Sequence, residues 1–393
     1  MTIGIITFHF SHNNGALLQC FALVKYLESC GHTVYVIDYR PAYHNQLFVE
    51  NPNPFVLAKR AFKEYKNKGV IYQTYRMIRR FIGVIIRYND AESKKRRIRM
   101  QNWETFAKNN FNLTKRYNSI GALRKDPPSC DIYISGSDQL WNPNLTGYKL
   151  DKSYFLDFGS DNVKRITYAI SPCMLDIDRN QEQLSRLGKK LDAISLRESE
   201  KLDSLSKVFS KEIFICPDPT LLIGVDCYEA IVNKSTVNEY NYILVYLMED
   251  EVRWNINRNM IIDMAKRLNL RIIDISMHER AWDGNVTCHN GVSIEDFLSY
   301  IKHADFIITN SFHCTVFSIL YRKRFITLPI GEKTSRTKNL LEKLDLSERF
   351  VCDCNDDIFK NLAEINYESV DQHLLVLQES GYLYLHKYLC MDD

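Results

Sequence analysis

Short apolar runs alternate with amphipathic ones from one end of the chain to the other. Residues 3–8, 33–38, 131–135, 165–170, 193–196 and 213–216 are rich in Ile, Val, Tyr and Phe and bounded by turn-forming residues, which predicts strands. A second set follows at 242–247, 271–275, 306–309 and 325–328. Between them, residues 17–29, 180–191, 255–268, 294–303 and 338–344 repeat apolar positions at helical spacing, and 369–388 reads as a final helix. Strands alternating with helices imply parallel sheets built from βαβ units. Two such sets, joined near 222–239, predict an α/β protein with two Rossmann-like domains facing a cleft. The first spans 1–225, the second 240–365, and 366–393 is a C-terminal helix that crosses back to the first domain.

One segment departs from this pattern. Residues 59–99 hold fourteen Lys or Arg and three acidic residues, a net +11 in a chain whose total is +3, so the remainder carries −8. At 100° per residue Ile71, Tyr75, Ile78, Ile82 and Ile85 form one stripe, with Arg76, Arg80 and Arg87 opposite. Residues 59–100 therefore read as a basic amphipathic insertion. It suits peripheral contact with anionic lipid through 70–88, or packing on its own domain with a solvated basic face. No aromatic-interleaved basic groove accompanies it, so no nucleic-acid partner is expected.

Composition narrows the class further. The chain has 393 residues, 45% of them apolar and 25% charged, the balance of a globular protein with ample core. Eleven cysteines are scattered without a CxxC pair, which fits free thiols in a reducing cytoplasm and gives no metal site. The N-terminus lacks a basic leader, and no apolar run approaches the roughly 20 residues that span a bilayer. The expected location is cytoplasmic, at the inner face of the membrane if the basic segment binds lipid.

Candidate chemistry sits where strands end. After 306–309 come Asn310, Ser311 and His313, with an apolar helix behind them. Ligands of open α/β sheets collect at such strand ends, and helix N-termini favour anions. After the first strand, Asn14 and Gly15 open a helix, as ligand contacts or as a cap. Residues 135–142 place Asp138, Gln139 and Trp141 in a small-residue turn. Carboxylate, amide and ring face are the groups that bind sugar hydroxyls and the apolar face of a pyranose; a capped turn over a buried Trp is the other reading. Arg197 lies just past 193–196, able to grip a phosphate or carboxylate with paired hydrogen bonds, or to pair with Glu198. Arg336 and Lys338 belong to a basic loop, 331–338, that enters a helix.

Taken in order, these stretches resemble the polysaccharide pyruvyl transferase family. The matching residues are 5–9 with 14–19, then 36–40, the distinctive block Gly136-Ser137-Asp138-Gln139-Leu140-Trp141-Asn142-Pro143, 194–198, 217–222, and 309–313 with 316–318. The basic segment lies outside the match. The resemblance implies the two-domain fold of GT-B glycosyltransferases and transfer of a pyruvyl unit from phosphoenolpyruvate to a sugar, forming a cyclic ketal. The acceptor is then a sugar of a bacterial surface polysaccharide, such as an exopolysaccharide or capsule, or its lipid-linked oligosaccharide precursor. No metal or cofactor is implied; phosphoenolpyruvate is a co-substrate. It implies Arg197 among the phosphoenolpyruvate-binding residues and His313 near the reacting atoms. The chemistry of the residues then assigns His313 and Asp138 as catalytic groups, Arg197, Arg336, Lys338, Ser311 and Asn310 to the donor side, and Asn14, Gly15, Gln139 and Trp141 to the acceptor side. Some members carry an arginine two positions before the histidine, where this chain has Ser311. A donor-binding cation must then come from elsewhere, with Arg336 and Lys338 as candidates. A sugar-nucleotide glycosyltransferase of the same fold, or a non-catalytic glycan- or lipid-carrier-binding protein, are the alternatives.

Overall fold

A computed structural model describes residues 1–11, 13–47, 91–235, 237–248, 251–277, 280–284, 286–330, 334–352 and 364–389. The amphipathic stripe 71–85 and the proposed lipid contact 70–88 lie outside the described residues.

Two all-parallel sheets form the frame. The first comprises β1 (Thr2–Ile6), β2 (Thr33–Val36), β3 (Ile132–Asp138), β4 (Lys164–Ile170), β5 (Ile194–Leu196) and β6 (Ile213–Ile215), in the order β2-β1-β3-β4-β5-β6. The second comprises β7 (Tyr242–Tyr246), β8 (Arg271–Asp274), β9 (Val286–Cys288), β10 (Phe306–Thr309) and β11 (Phe325–Thr327), in the order β11-β10-β7-β8-β9. The central strands are apolar on both faces because helices cover both: β7 and β10 are buried at every residue. β9 escapes the sequence pattern, since its three residues are half-buried or exposed and too few to show a period.

Helix boundaries follow local chemistry. Asn13 caps the helix Asn14–Ser29 by accepting hydrogen bonds from the backbone N–H of Gly15 (2.8 Å) and Ala16 (3.4 Å), and the chain turns away at Gly31 with φ +81°. Ser293 and Ser311 cap Ile294–His303 and Phe312–Leu320 in the same way. Arg336 and Lys338, read from sequence as loop residues, lie in the helix Thr334–Lys343.

Three features tie the two sheets together. Tyr228 packs between Phe21 of the first domain and Phe317 of the second, with ring centroids 6.1 and 4.9 Å away. The helix Ala91–Asn110 lies against Asn14–Ser29 through Phe106 and Phe21, and its Arg99 donates from Nη1 to the Met277 carbonyl (2.7 Å). Arg99 is buried at this junction, so the end of the basic segment joins the domains. The helix Tyr367–Leu389 begins with Tyr367 donating to the Lys323 carbonyl (2.6 Å) and ends against the first sheet, where Tyr384 donates to the Thr167 carbonyl (2.8 Å). None of the described helices is long and apolar enough to cross a membrane.

Candidate active site

The carboxyl ends of β3, β5 and β6 meet the helices Phe312–Leu320 and Thr334–Lys343 of the second domain. Arg197 leaves β5 and is buried; its Nε donates to Glu198 Oε1 (2.9 Å) and its Nη1 to Asp218 Oδ2 (2.6 Å). Burial alone would favour the neutral guanidine, but Glu198 and Asp218 outweigh it and hold Arg197 firmly protonated. Asp218 is itself fixed by Thr220, whose N–H (3.0 Å) and hydroxyl (2.7 Å) donate to Oδ1. Burial works against its charge, yet His313 and Arg197 keep its pKa far below the usual carboxylate range.

His313 reaches the same carboxylate from the second domain, with Nε2 3.6 Å from Asp218 Oδ2. Its ring lies on the backbone of Gly15: a Cβ built there would overlap His313 Nδ1, so only glycine lets the first helix approach this closely. Phe312, next in the chain, carries the Arg197 guanidinium at 4.6 Å from its ring centroid and the Arg336 guanidinium at 5.9 Å. A ring within reach of both cations offers each a favourable cation–π contact. Burial and the neighbouring Arg197 both push the Arg336 pKa down from its ordinary value.

Arg197, Glu198, Asp218, Phe312 and Arg336 line an interdomain pocket together with Asn339 and Lys343. Four hydrogen-bonding atoms in this region are buried without a hydrogen bond: Arg197 Nη2, Arg336 Nε, Glu198 Oε2 and His313 Nε2. Buried polar groups are normally satisfied, so donors left without acceptors at one place mark a ligand position. The free volume is about 20 Å³, room for a water or two. Arg197 comes from the first domain and Arg336 from the second, so the pocket is shared between the two domains.

The sequence candidates divide sharply. His313, Arg197, Arg336 and Asp138 converge; Asp138 is close enough to contribute to the electrostatics of both arginines, and its φ of +90° is rare for a residue with a side chain. That backbone follows Gly136 (φ +140°), where a Cβ would overlap the Tyr168 carbonyl oxygen. The remaining candidates are engaged elsewhere: Trp141 is enclosed, Lys338 faces solvent, and the others hold structural contacts. Trp141 is fully buried and stacked on Phe155 at 4.8 Å, a core residue without an open ring face. Gln139 is buried and accepts from Asn142 Nδ2 (2.9 Å). Asn14 accepts from Trp103 Nε1 (2.7 Å), and Gly15 is covered by His313. Asn310 holds the Met248 N–H (2.6 Å), and Ser311 is a helix cap. Lys338 is exposed and faces Glu342 at 3.9 Å, because two residues along a helix turn it about 200° from Arg336.

Asp218, Phe312, Asn339 and Lys343 are the residues that sequence reasoning missed. A signal existed for two of them: Arg336, Asn339 and Lys343 stand at i, i+3 and i+7, one face of a helix. Among the described residues no group of three or more His, Cys, Asp or Glu is placed to hold a metal ion.

A polysaccharide pyruvyl transferase family model matches residues 13–331. No curated protein matches by sequence. Among solved structures, UDP-GlcNAc 2-epimerase from Methanocaldococcus jannaschii is similar at TM-score 0.50 and 13% identity, covering 98% of this chain and 99% of that one. A further UDP-N-acetylglucosamine 2-epimerase matches at TM-score 0.50 and 12% identity, covering 100% and 97%. These likenesses, with the two parallel-sheet domains, give the GT-B fold. The family match spans most of the chain, including Asp138, Arg197, Asp218 and His313, and the chain belongs to the polysaccharide pyruvyl transferase family.

Proposed function

We propose that the chain transfers the pyruvyl unit of phosphoenolpyruvate to a sugar of a surface polysaccharide or its lipid-linked precursor, closing a cyclic ketal. The observation that carries this reading is the meeting of Arg197 and Arg336, from different domains, at one pocket where each keeps a buried N–H without a protein acceptor. The donor bears a carboxylate and a phosphate, and fixed cations suit both the bound anion and the charge that develops on the leaving phosphate.

The residues divide the chemistry between them. A proton passes to the donor's methylene carbon from His313, which is held between Gly15 and Asp218. One sugar hydroxyl adds to the neighbouring carbon, releasing its proton to Asp138 or to water that Asp138 orients. Phosphate then departs with the C–O electron pair, steadied by Arg336, Arg197 and Lys343. A second hydroxyl adds to the same carbon and loses its proton, which closes the ketal. Since Arg197 already serves two carboxylates, Arg336 and Lys343 supply the positive charge left over for the donor.

Thermal unfolding with candidate donors tests the reading. A ligand at 100 times its Kd stabilises the folded state by about 2.7 kcal/mol. Phosphoenolpyruvate should raise Tm and uridine or guanosine diphosphate sugars should not. The opposite pattern would instead support a sugar-nucleotide glycosyltransferase.

A further inference from the structure

A second pocket, sharing no lining residue with the first, opens on the β2 flank of the first sheet. Its volume is about 590 Å³, within the range of small-molecule sites. Tyr39 and Tyr43 form one wall, both phenols donating to the same oxygen, Oδ2 of Asp151, at 2.8 and 2.5 Å. Asp151 Oδ1 accepts from the Ser153 N–H (2.9 Å). Burial and the neighbouring carboxylate push both phenol pKa values up, so both stay protonated as donors. The two rings are therefore held in place before any ligand arrives, which lowers the entropic cost of binding.

The rim is cationic. Lys149, Lys152 and Arg124 line the pocket, and its one carboxylate is already engaged by the two tyrosines. Arg124 also pairs with Asp157, whereas Lys149 and Lys152 have no acidic partner among the described residues. Fixed aromatic rings beside two unpaired ammonium groups suit a sugar that carries negative charge.

We infer that this pocket binds an anionic unit of a glycan chain, a uronate or a phosphate-bearing sugar, away from the reacting centre. Position adds a length requirement. Tyr39 follows β2 and Arg197 follows β5, four places apart in the sheet, or roughly 19 Å at about 4.8 Å per strand. A monosaccharide cannot touch both; a chain of several units can. The link to an acceptor rests on the pyruvyl-transfer reading, but the binding site itself does not.

Titration calorimetry with the full chain tests it, using hexagalacturonate, phosphorylated maltohexaose and plain maltohexaose. One or both charged hexamers should bind at least tenfold more tightly than the neutral one, and more weakly as salt rises; the tighter one identifies the charge. Lys149→Glu/Lys152→Glu, changed at the solvent-facing rim, should abolish that preference while keeping the wild-type Tm. Equal affinity for charged and neutral hexamers, no binding of any hexamer, or an unchanged preference in the double variant overturns the inference. The phosphoenolpyruvate shift in Tm, measured on the same proteins, separates the two readings. Hexamer binding without a donor shift leaves this site standing and removes the pyruvyl-transfer reading.

Discussion

A tryptophan beside a carboxylate and an amide has the composition of a sugar platform, yet Trp141 is enclosed and stacked flat on Phe155, with its Nε1 donating to the Tyr154 carbonyl (3.3 Å). Residue type announces which contacts a side chain can make; only packing decides which it does make. Trp141→Ala should therefore cost about 3–5 kcal/mol of stability in urea unfolding. A stable variant with a raised acceptor KM would restore the platform reading. His44 gives a second test at this scale. Its ring packs edge-on against Phe8 and Phe10, and burial, reinforced by nearby His9, lowers its pKa from 6.5 to about 3. The unfolded chain takes up this proton first as pH falls. The contribution of a neutral His44 is thus whole above 6.5 and declines toward about 3, at up to about 1.4 kcal/mol per pH unit. In His44→Phe the dependence of stability on pH should be shallower between those values. An identical slope in both proteins would show that His44 is not buried neutral.

At the scale of elements, the helix Thr334–Lys343 presents different chemistry on different faces. Arg336 and Lys343 line the interdomain pocket while Lys338 points to solvent. Arg336→Gln should weaken the phosphoenolpyruvate shift in Tm at least tenfold in half-saturating concentration, and Lys338→Gln should leave it unchanged; equal effects from both would mean that the cation acts only through the general field. The helix Asn14–Ser29 makes a complementary demand at its N-terminus, where Gly15 meets His313. Gly15→Ala should lower kcat by at least tenfold with a loss of stability, as the ring is displaced from Asp218. Wild-type turnover in that variant would detach His313 from the reaction. The element pattern itself was largely legible: both sets of alternating strands and helices, and 306–309 to the residue, follow from apolar spacing. β9 was not, because an edge strand of three half-exposed residues leaves no periodic signature.

For the whole molecule, two Rossmann-like domains could be read from strand and helix alternation, and the family, with the GT-B fold it implies, from blocks of residues in order along the chain. The site was legible only in part. His313, Arg197 and Asp138 stand at strand ends, where sequence position is informative. Asp218 became visible only when β6 was set beside β5 and a helix of the other domain brought His313 to it. Distances across a domain boundary have no trace in sequence spacing. The same boundary governs the pocket, whose lining draws Arg197 from one domain and Arg336 from the other. The central claim is that the groups meeting there carry pyruvyl transfer. Its most direct test is phosphate release from phosphoenolpyruvate in the presence of galactosyl or mannosaminyl oligosaccharides, followed together with the mass of the acceptor. One phosphate should be released per ketal formed in the wild type, and both should be lost in His313→Ala. Full activity of His313→Ala on the acceptor that wild type uses would contradict it.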